Sequence, residues 1–321
     1  MFVCDFCGSE YATLNGIDYS DEGFFCDECD AFTYFENHHD RHFLKLFLEE
    51  NNTKTKEQDC NIKFNKRLSP LRYPGGKSKL LPLFYQTINK NKAKVFVEPF
   101  AGGCGVGLAL LEEKIIDHYI INDFDYGIYA LFSVIKDNPE LLISKIKSHT
   151  PTHEDFYKAK SKIKSNYQNC RLIDAAWSLL IANRLSYSGI VKANPLGGKT
   201  GAYEDLLSRW NTNDLIKRIT KIHSLSDQIT VTNQNALEVI EHYYWKPQTT
   251  IFIDPPYYKK GKQLYTHYFN ETQHRELSEL LFSLSTGFPG ADIILTYDNE
   301  DYIKDLYWWT PTQNIHSHYS I

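Results

Sequence analysis

Short apolar runs and helix-like stretches alternate along most of this 321-residue chain. Lys94-Val95-Phe96-Val97, Tyr119-Ile120-Ile121, the run around Ile229, Thr250-Ile251-Phe252-Ile253 and the run around Ile293 each have the length and side-chain content of a buried strand. Between them lie stretches suited to helices, such as Leu108-Ala109-Leu110-Leu111 and Asp174-Ala175-Ala176-Trp177-Ser178-Leu179-Leu180-Ile181. This alternation predicts an α/β fold, a mostly parallel sheet with helices on both faces. Between the second and third runs, residues 149–227 are too many for a simple crossover and predict an inserted, mainly helical domain. The stretch from Glu49 to Asp59 is polar and reads as a linker. The expected division is a small module over 1–48, a linker over 49–66, a first core part over 67–148, the insert over 149–227 and a second core part over 228–321.

The strand ends carry the candidate chemistry. Asp254-Pro255-Pro256-Tyr257 follows the run ending at Ile253, and the prolines stop the strand by removing N–H donors and fixing φ. A carboxylate, a rigid turn and an aromatic face are thereby held at the carboxyl end of a strand, where open α/β sheets bind ligands. The carboxylate and a proline carbonyl can accept hydrogen bonds from an exocyclic amine while the tyrosine ring stacks on a flipped base. After the first run comes Glu98-Pro99-Phe100-Ala101-Gly102-Gly103-Cys104-Gly105-Val106-Gly107, a glycine-rich turn that lets a nucleotide-like ligand approach helix N–H groups. The second run ends at Asn122-Asp123, about twenty residues after those glycines, the usual place for a carboxylate that binds ribose. A cap on the following helix is the alternative for Asp123. Upstream, Leu71-Arg72-Tyr73-Pro74-Gly75-Gly76-Lys77 is a glycine-rich turn with one aromatic and one lysine.

In this order and spacing, the segments from Arg72 to Lys77, from Glu98 to Gly105, from Ile121 to Asp123 and from Asp254 to Tyr257 resemble the motifs of the Dam-like DNA adenine-N6 methyltransferases. The resemblance runs from about Arg67 to the chain end. It implies a Rossmann-like methyltransferase sheet, S-adenosylmethionine as methyl donor and the N6 amine of adenine in double-stranded DNA as acceptor. It also implies that Tyr73 and Lys77 contact the donor and that Glu98, Pro99, Phe100, Gly102 and Gly103 hold its methionine part. Asp123 would bind its ribose, and Asp254, Pro255, Pro256 and Tyr257 would form the catalytic site. The stretch from Asn183 to Asn194 matches the family's DNA-contacting region, so Asn183, Arg184, Tyr187 and Lys192 are expected in the groove or against phosphates. Members reading GATC carry an arginine at the position of Lys192. Lysine is a point charge rather than a planar fork, so the resemblance does not carry that recognition sequence over. Cytosine-N4 methylation, adenine methylation in RNA, and DNA binding without turnover are the competing readings.

The N-terminus adds a second signal. Cys4-Asp5-Phe6-Cys7 and Cys26-Asp27-Glu28-Cys29 form two C-x2-C pairs, a spacing suited to a tetrahedral structural zinc site in a ribbon-like module. Disulfides are the alternative, but no secretion signal supports an oxidising compartment. His38, His39 and His42 lie nearby as alternative ligands, whereas Cys60, Cys104 and Cys170 follow no pattern. The formal net charge of −5 argues against a general polyanion-binding surface and requires any DNA contact to be local. No apolar run approaches a membrane span, so the expectation is a cytoplasmic protein with no membrane partner. The chain stops at Ser317-His318-Tyr319-Ser320-Ile321, where relatives of this kind continue into a final strand. An uncovered sheet edge there would cost stability or invite pairing with a second chain, which leaves the oligomeric state open.

Overall fold

Five of the apolar runs become the strands of one sheet: β1 (Val95–Glu98), β2 (His118–Asn122), β3 (Ile229–Thr232), β4 (Thr249–Ile253) and β5 (Asp292–Leu295). In the computed structural model, which describes residues 2–3, 10–11, 19–20, 23–25, 32–34, 62–65, 67–73, 76–259, 261–264, 266–287 and 290–310, the strand order is β5-β4-β1-β2-β3. All four pairings are parallel. The chain lays β2 and β3 outward on one side of β1, then returns to lay β4 and β5 on the other. The order therefore reverses between β1 and β4, and their carboxyl ends flank the crevice where ligands bind in open α/β sheets.

The connections are helical, as the alternation predicts. They are α1 (Leu81–Asn91), α2 (Gly105–Glu112), α3 (Tyr126–Asp137), α4 (Pro139–Ser148), α5 (His153–Lys164), α6 (Leu172–Leu185), α7 (Thr212–His223), α8 (Ala236–Tyr244), α9 (Glu271–Thr286) and α10 (Asp301–Leu306). Thr152 and Asp155 form a reciprocal capping box that starts α5, and Asn270 and Gln273 do the same for α9. The insert contributes α5, α6 and α7. Its central helix α6 packs against core helix α3 as well as against α5, so the insert shares a core with the sheet domain. Buried Leu179, Leu180, Ile181, Ala182 and Leu185 line that contact region of α6.

Period-two alternation sorts the two inner strands onto two faces. Phe96 of β1 and Phe252 of β4 share one face with Phe84 of α1, whose ring centroid lies 4.6 Å from that of Phe252 and 6.0 Å from that of Phe96. Val97, Ile251 and Ile253 turn to the other face and pack with Val239 and Ile240 of α8 and Leu277 and Leu281 of α9. Every residue of β4 is buried, which is why this strand reads as a continuous apolar run.

The chain divides into two compact units, Met1–Phe64 with His316–Ile321, and Asn65–Ile315. In the first, Phe2–Val3 pairs antiparallel with Glu10–Tyr11, and Tyr19–Ser20, Gly23–Phe25 and Phe32–Tyr34 form a second antiparallel sheet. The expected zinc ligands Cys4, Cys7, Cys26 and Cys29 lie outside the described residues, as do Pro74, Gly75 and the chain end from Pro311. Among the described residues no helix is long and apolar enough to cross a membrane.

The turn between β1 and α2 depends on close approach. A Cβ placed on Gly107 would lie 2.2 Å from the buried ring of Tyr119 in β2. Gly107→Ala is therefore expected to destabilise the fold by about 1–3 kcal/mol, the scale of core overpacking. Gly105→Ala, whose Cβ meets nothing within 4 Å, should be close to neutral. Urea denaturation of both variants checks this; equal midpoints would overturn it.

Candidate active site

Each functional segment begins where a strand of the sheet ends. Asp254 follows β4, and its carboxylate is fixed from two sides. Lys77 Nζ donates to Oδ2 at 2.7 Å, and the Thr296 hydroxyl donates to Oδ1 at 2.7 Å. Lys77 Nζ also donates to the Tyr257 hydroxyl at 2.6 Å and lies 5.0 Å from the centroid of that ring. The Lys77 side chain is 5% exposed and that of Asp254 21%, so the pair sits at the wall of the crevice with the carboxylate nearer solvent. Pro255 is buried and Pro256 half-buried, which holds the backbone turn rigid. Beyond them, Asp298 accepts from the backbone N–H of Tyr258 at 3.1 Å and of Lys259 at 3.0 Å, anchoring the chain as it leaves Tyr257.

The glycine turn after β1 is drawn tight by two carboxylates. Glu98 Oε1 accepts from Gly107 N at 2.9 Å, tying the end of β1 to the first turn of α2. Asp123 Oδ2 accepts from Gly102 N at 2.8 Å, tying the end of β2 to the same turn. Tyr73 lies against this turn. A Cβ on Gly102 would come within 2.6 Å of its ring and one on Gly103 within 2.7 Å of its Cβ, while Gly102 has φ +49°. Only glycine meets both demands there. Phe100 packs edge-on against Phe269 with centroids 5.5 Å apart, and Pro99 passes its carbonyl to the Asn122 amide at 2.9 Å. Asn122, fully buried, also accepts from Gln234 N and the Thr232 hydroxyl, locking the ends of β2 and β3 together. The cap on α3 is Asp125, whose Oδ1 accepts from Gly127 N at 2.8 Å. Asp123 itself holds Asp125 N and stays partly exposed.

Carboxylates accumulate at this edge with one lysine among them. Burial, together with the charges of Asp254 and Asp123, pushes the Glu98 carboxyl up to about 8 against the opposing bond from Gly107. Burial and neighbouring Asp125 push Asp123 to about 7. Both groups therefore keep a proton into the neutral range, and a cation placed beside them would favour their ionised forms.

The segment expected to meet DNA is divided by the structure. Tyr187 and Lys192 lie on a hairpin-like loop closed by Ser186 and Pro195 and are partly exposed. Lys192 Nζ donates to the Lys262 carbonyl at 2.8 Å and stands 5.4 Å from the Tyr268 ring centroid. Lys160 of α5 holds the loop by donating to the carbonyls of Lys192 and Ala193 at 3.0 and 2.7 Å. Asn183 and Arg184 are buried. They belong to the last turns of α6 and are 2% and 6% exposed. The Asn183 amide accepts from Arg72 N at 2.8 Å and donates to Arg72 O at 2.7 Å and Gly189 O at 2.9 Å. Arg184 donates through Nε to Arg209 O at 2.8 Å and a second time through its terminal nitrogen. Burial and surrounding arginines lower its guanidinium to about 9. These two side chains satisfy buried backbone, which a reading of charge alone misses.

Sequence reasoning also missed Thr296, Asp298 and Asn122. The available signal was position: Thr296 follows the apolar run of β5 as Asp254 follows that of β4.

A glycine turn beneath an aromatic, acids ending adjacent parallel strands and an Asp-Pro-Pro-Tyr segment at the switch point define a methyltransferase of exocyclic amines. Comparison with known proteins makes that specific. Residues 73–319 match the D12 class N6 adenine-specific DNA methyltransferases, and the chain belongs to that family. Type II methyltransferase M.MjaIII of Methanocaldococcus jannaschii is 22% identical over 261 residues, covering 74% of this chain and 86% of that protein. Type II methyltransferase M1.LlaDCHI of Lactococcus lactis subsp. cremoris is 24% identical over 255 residues, covering 74% and 83%. Modification methylase StsI of Streptococcus sanguinis is 24% identical over 269 residues, covering 78% of this chain and 39% of that longer protein. The reaction is transfer of a methyl group from S-adenosylmethionine to the N6 amine of adenine in DNA, which sets aside the cytosine, RNA and non-catalytic readings.

The raised Glu98 carboxyl has a consequence for stability. Between its ordinary value of 4.5 and about 8 the folded protein keeps a proton that the unfolded chain has released. Stability conferred below that window is therefore lost as pH rises through it, at no more than about 1.4 kcal/mol per pH unit. Glu98→Gln retains an acceptor for Gly107 N but does not titrate. Its unfolding free energy should decline less between pH 5 and 8 than that of the unaltered protein, leaving the contribution of Asp123. Parallel slopes in urea titrations across that range would refute the assignment.

Proposed function

We propose that the carboxyl ends of β1, β2 and β4 divide the reaction between donor and acceptor, with duplex DNA as the acceptor. The Gly102–Gly103 turn and Tyr73 hold the methionine part of the donor, together with Glu98, Pro99 and Phe100, and Asp123 takes its ribose hydroxyls. What supports this is the turn itself, whose glycines let Tyr73 approach the backbone closely and whose neighbours Glu98 and Asp123 are acids that a ligand carrying a sulfonium and an ammonium would ionise. S-adenosylmethionine supplies an electrophilic methyl group on positive sulfur.

Asp254 carries the reading of the acceptor side. Adenine's amine is a weak nucleophile because its lone pair is delocalised into the ring. Asp254 and the Pro255 carbonyl accept its two N–H groups and so favour a pyramidal nitrogen with its lone pair directed at the methyl group. Each carboxylate oxygen has two acceptor sites, so Asp254 retains capacity with Lys77 and Thr296 in place. Pro256 keeps the turn rigid, Tyr257 stacks on the flipped base, and the catalysis is positioning and electrostatics without a covalent intermediate. A new N–C bond forms as the S–C bond breaks, and the nitrogen sheds its extra proton to Asp254 or to water. Lys77, which the resemblance assigns to the donor, also offsets the charge of Asp254 and holds the Tyr257 hydroxyl.

Tyr187 and Lys192 are the residues of the insert assigned to DNA, Tyr187 for the space the flipped base leaves and Lys192 for a base edge. Asn183 and Arg184 support that loop from within. The names of the relatives support a place as the modification arm of a restriction–modification system. Incubation with unmethylated duplex DNA and labelled donor, followed by digestion to nucleosides, should yield N6-methyladenine. Asp254→Ala should abolish that product while calorimetric donor binding is largely kept, and turnover retained within about tenfold, or 1.4 kcal/mol of barrier, would sink its role. In the same assay Lys192→Ala should broaden the set of methylated sites.

The two cysteine pairs support one structural zinc held by Cys4, Cys7, Cys26 and Cys29 and not required for chemistry at Asp254. Elemental analysis of the purified protein should find one zinc per chain. Metal-free protein with both pairs oxidised would show a disulfide module instead.

A further inference from the structure

Thr296 stands one residue beyond β5, and its backbone N–H donates to the carbonyl of Ile253 at 2.9 Å. The parallel register that pairs Leu295 with Ile253 is thus carried one step further, setting Thr296 beside Asp254. Side chains of paired residues on neighbouring strands project to the same face, and the Thr296 hydroxyl meets Asp254 Oδ1 at 2.7 Å. The next two residues keep the alternation. Tyr297 turns inward, where its hydroxyl bonds Nδ1 of fully buried His274 and its ring packs on Tyr307. Asp298 turns back to the catalytic segment and takes the N–H groups of Tyr258 and Lys259. Of the three residues that follow β5, the outer two therefore brace the catalytic segment after β4 and the middle one pins the brace to the core.

A carboxylate's terminal torsion is soft and nearly two-fold, so the backbone alone does not set its rotation. Lys77 holds Oδ2 but constrains its direction less, because an ammonium is a compact point charge with no fixed donor geometry. A hydroxyl on a rigid strand is directional and leaves one arrangement. We propose that Thr296 is a positioning residue for methyl transfer: by holding Asp254 Oδ1 it fixes the rotation of the carboxylate, so that Oδ2 and the free lone pairs face the target amine. The proposal rests on the role of Asp254 as acceptor for that amine. Because the Thr296 hydroxyl is spent on Asp254, its part in the reaction is played through that carboxylate, and its loss lowers kcat and spares both affinities.

The test compares Thr296→Val, Thr296→Ala, Thr296→Ser and Asp254→Asn on duplex DNA, measuring kcat, KM for DNA, donor affinity by calorimetry and thermal midpoint. The expected result is a kcat lowered by about tenfold or more in Thr296→Val and Thr296→Ala, the scale of a misplaced reacting group. KM and donor affinity should stay within about twofold, and Thr296→Ser should recover most of the rate. Thr296→Ala guards against a folding defect peculiar to valine, and the thermal midpoints identify one. If Asp254→Asn is inactive while both hydroxyl-free variants keep full kcat, the positioning role is overturned and the acceptor role of Asp254 stands. Loss that serine does not recover also overturns it, because the hydroxyl is then not the operative group. An active Asp254→Asn removes the reading on which the proposal rests.

Discussion

The pairing of β1 with β4 is the constraint from which the site follows. With Val97 opposite Ile251, the next residues on the two strands bring Glu98 and Asp254 to the same edge of the sheet. The chain reverses its direction of lateral growth between these two strands, so no crossover loop covers the gap. The register is protected on both faces, by Phe84, Phe96 and Phe252 on one and by Val97, Ile251 and Ile253 on the other. A one-residue slip would exchange the two sets and cost the packing of both layers.

The edge so formed is costly in electrostatic terms. Three strands end in acids, one lysine answers them, and two of the carboxyls are pushed well above their ordinary values. Such a concentration opposes folding in the absence of a cationic ligand. Backbone N–H groups offset part of that cost, Gly102 by donating to Asp123 and Gly107 by donating to Glu98. The same N–H groups tighten the turn, so stability and cradle shape are set by the same bonds.

Much of this was legible in the sequence because its signals are local. An apolar run stopped by two prolines marks β4 and the start of the site, and the spacing of glycines and Asp123 after β1 marks the other half. Family likeness then added roles that no periodicity reveals. What the sequence concealed depends on three-dimensional partners. Asp125 rather than Asp123 caps α3, a distinction of two residues that composition does not make. Asn183 and Arg184 look like surface contacts because polar side chains usually are. Their flanking residues, from Leu179 to Leu185, already form an apolar helix with no polar face at that end. Thr296 carried no mark, since a threonine after a strand is commonplace and its partner lies 42 positions away.

The amide of Asn183 binds both backbone groups of Arg72, next to the aromatic of the donor turn, and the carbonyl of Gly189 in the loop assigned to DNA. One buried side chain thus belongs to both halves of the enzyme. The insert is consequently not an interchangeable cassette: a grafted loop must keep the left-handed backbone at position 189, where φ is +70° and a Cβ would lie 2.4 Å from the Arg72 carbonyl, or the Asn183 bridge to the turn carrying Tyr73 is lost.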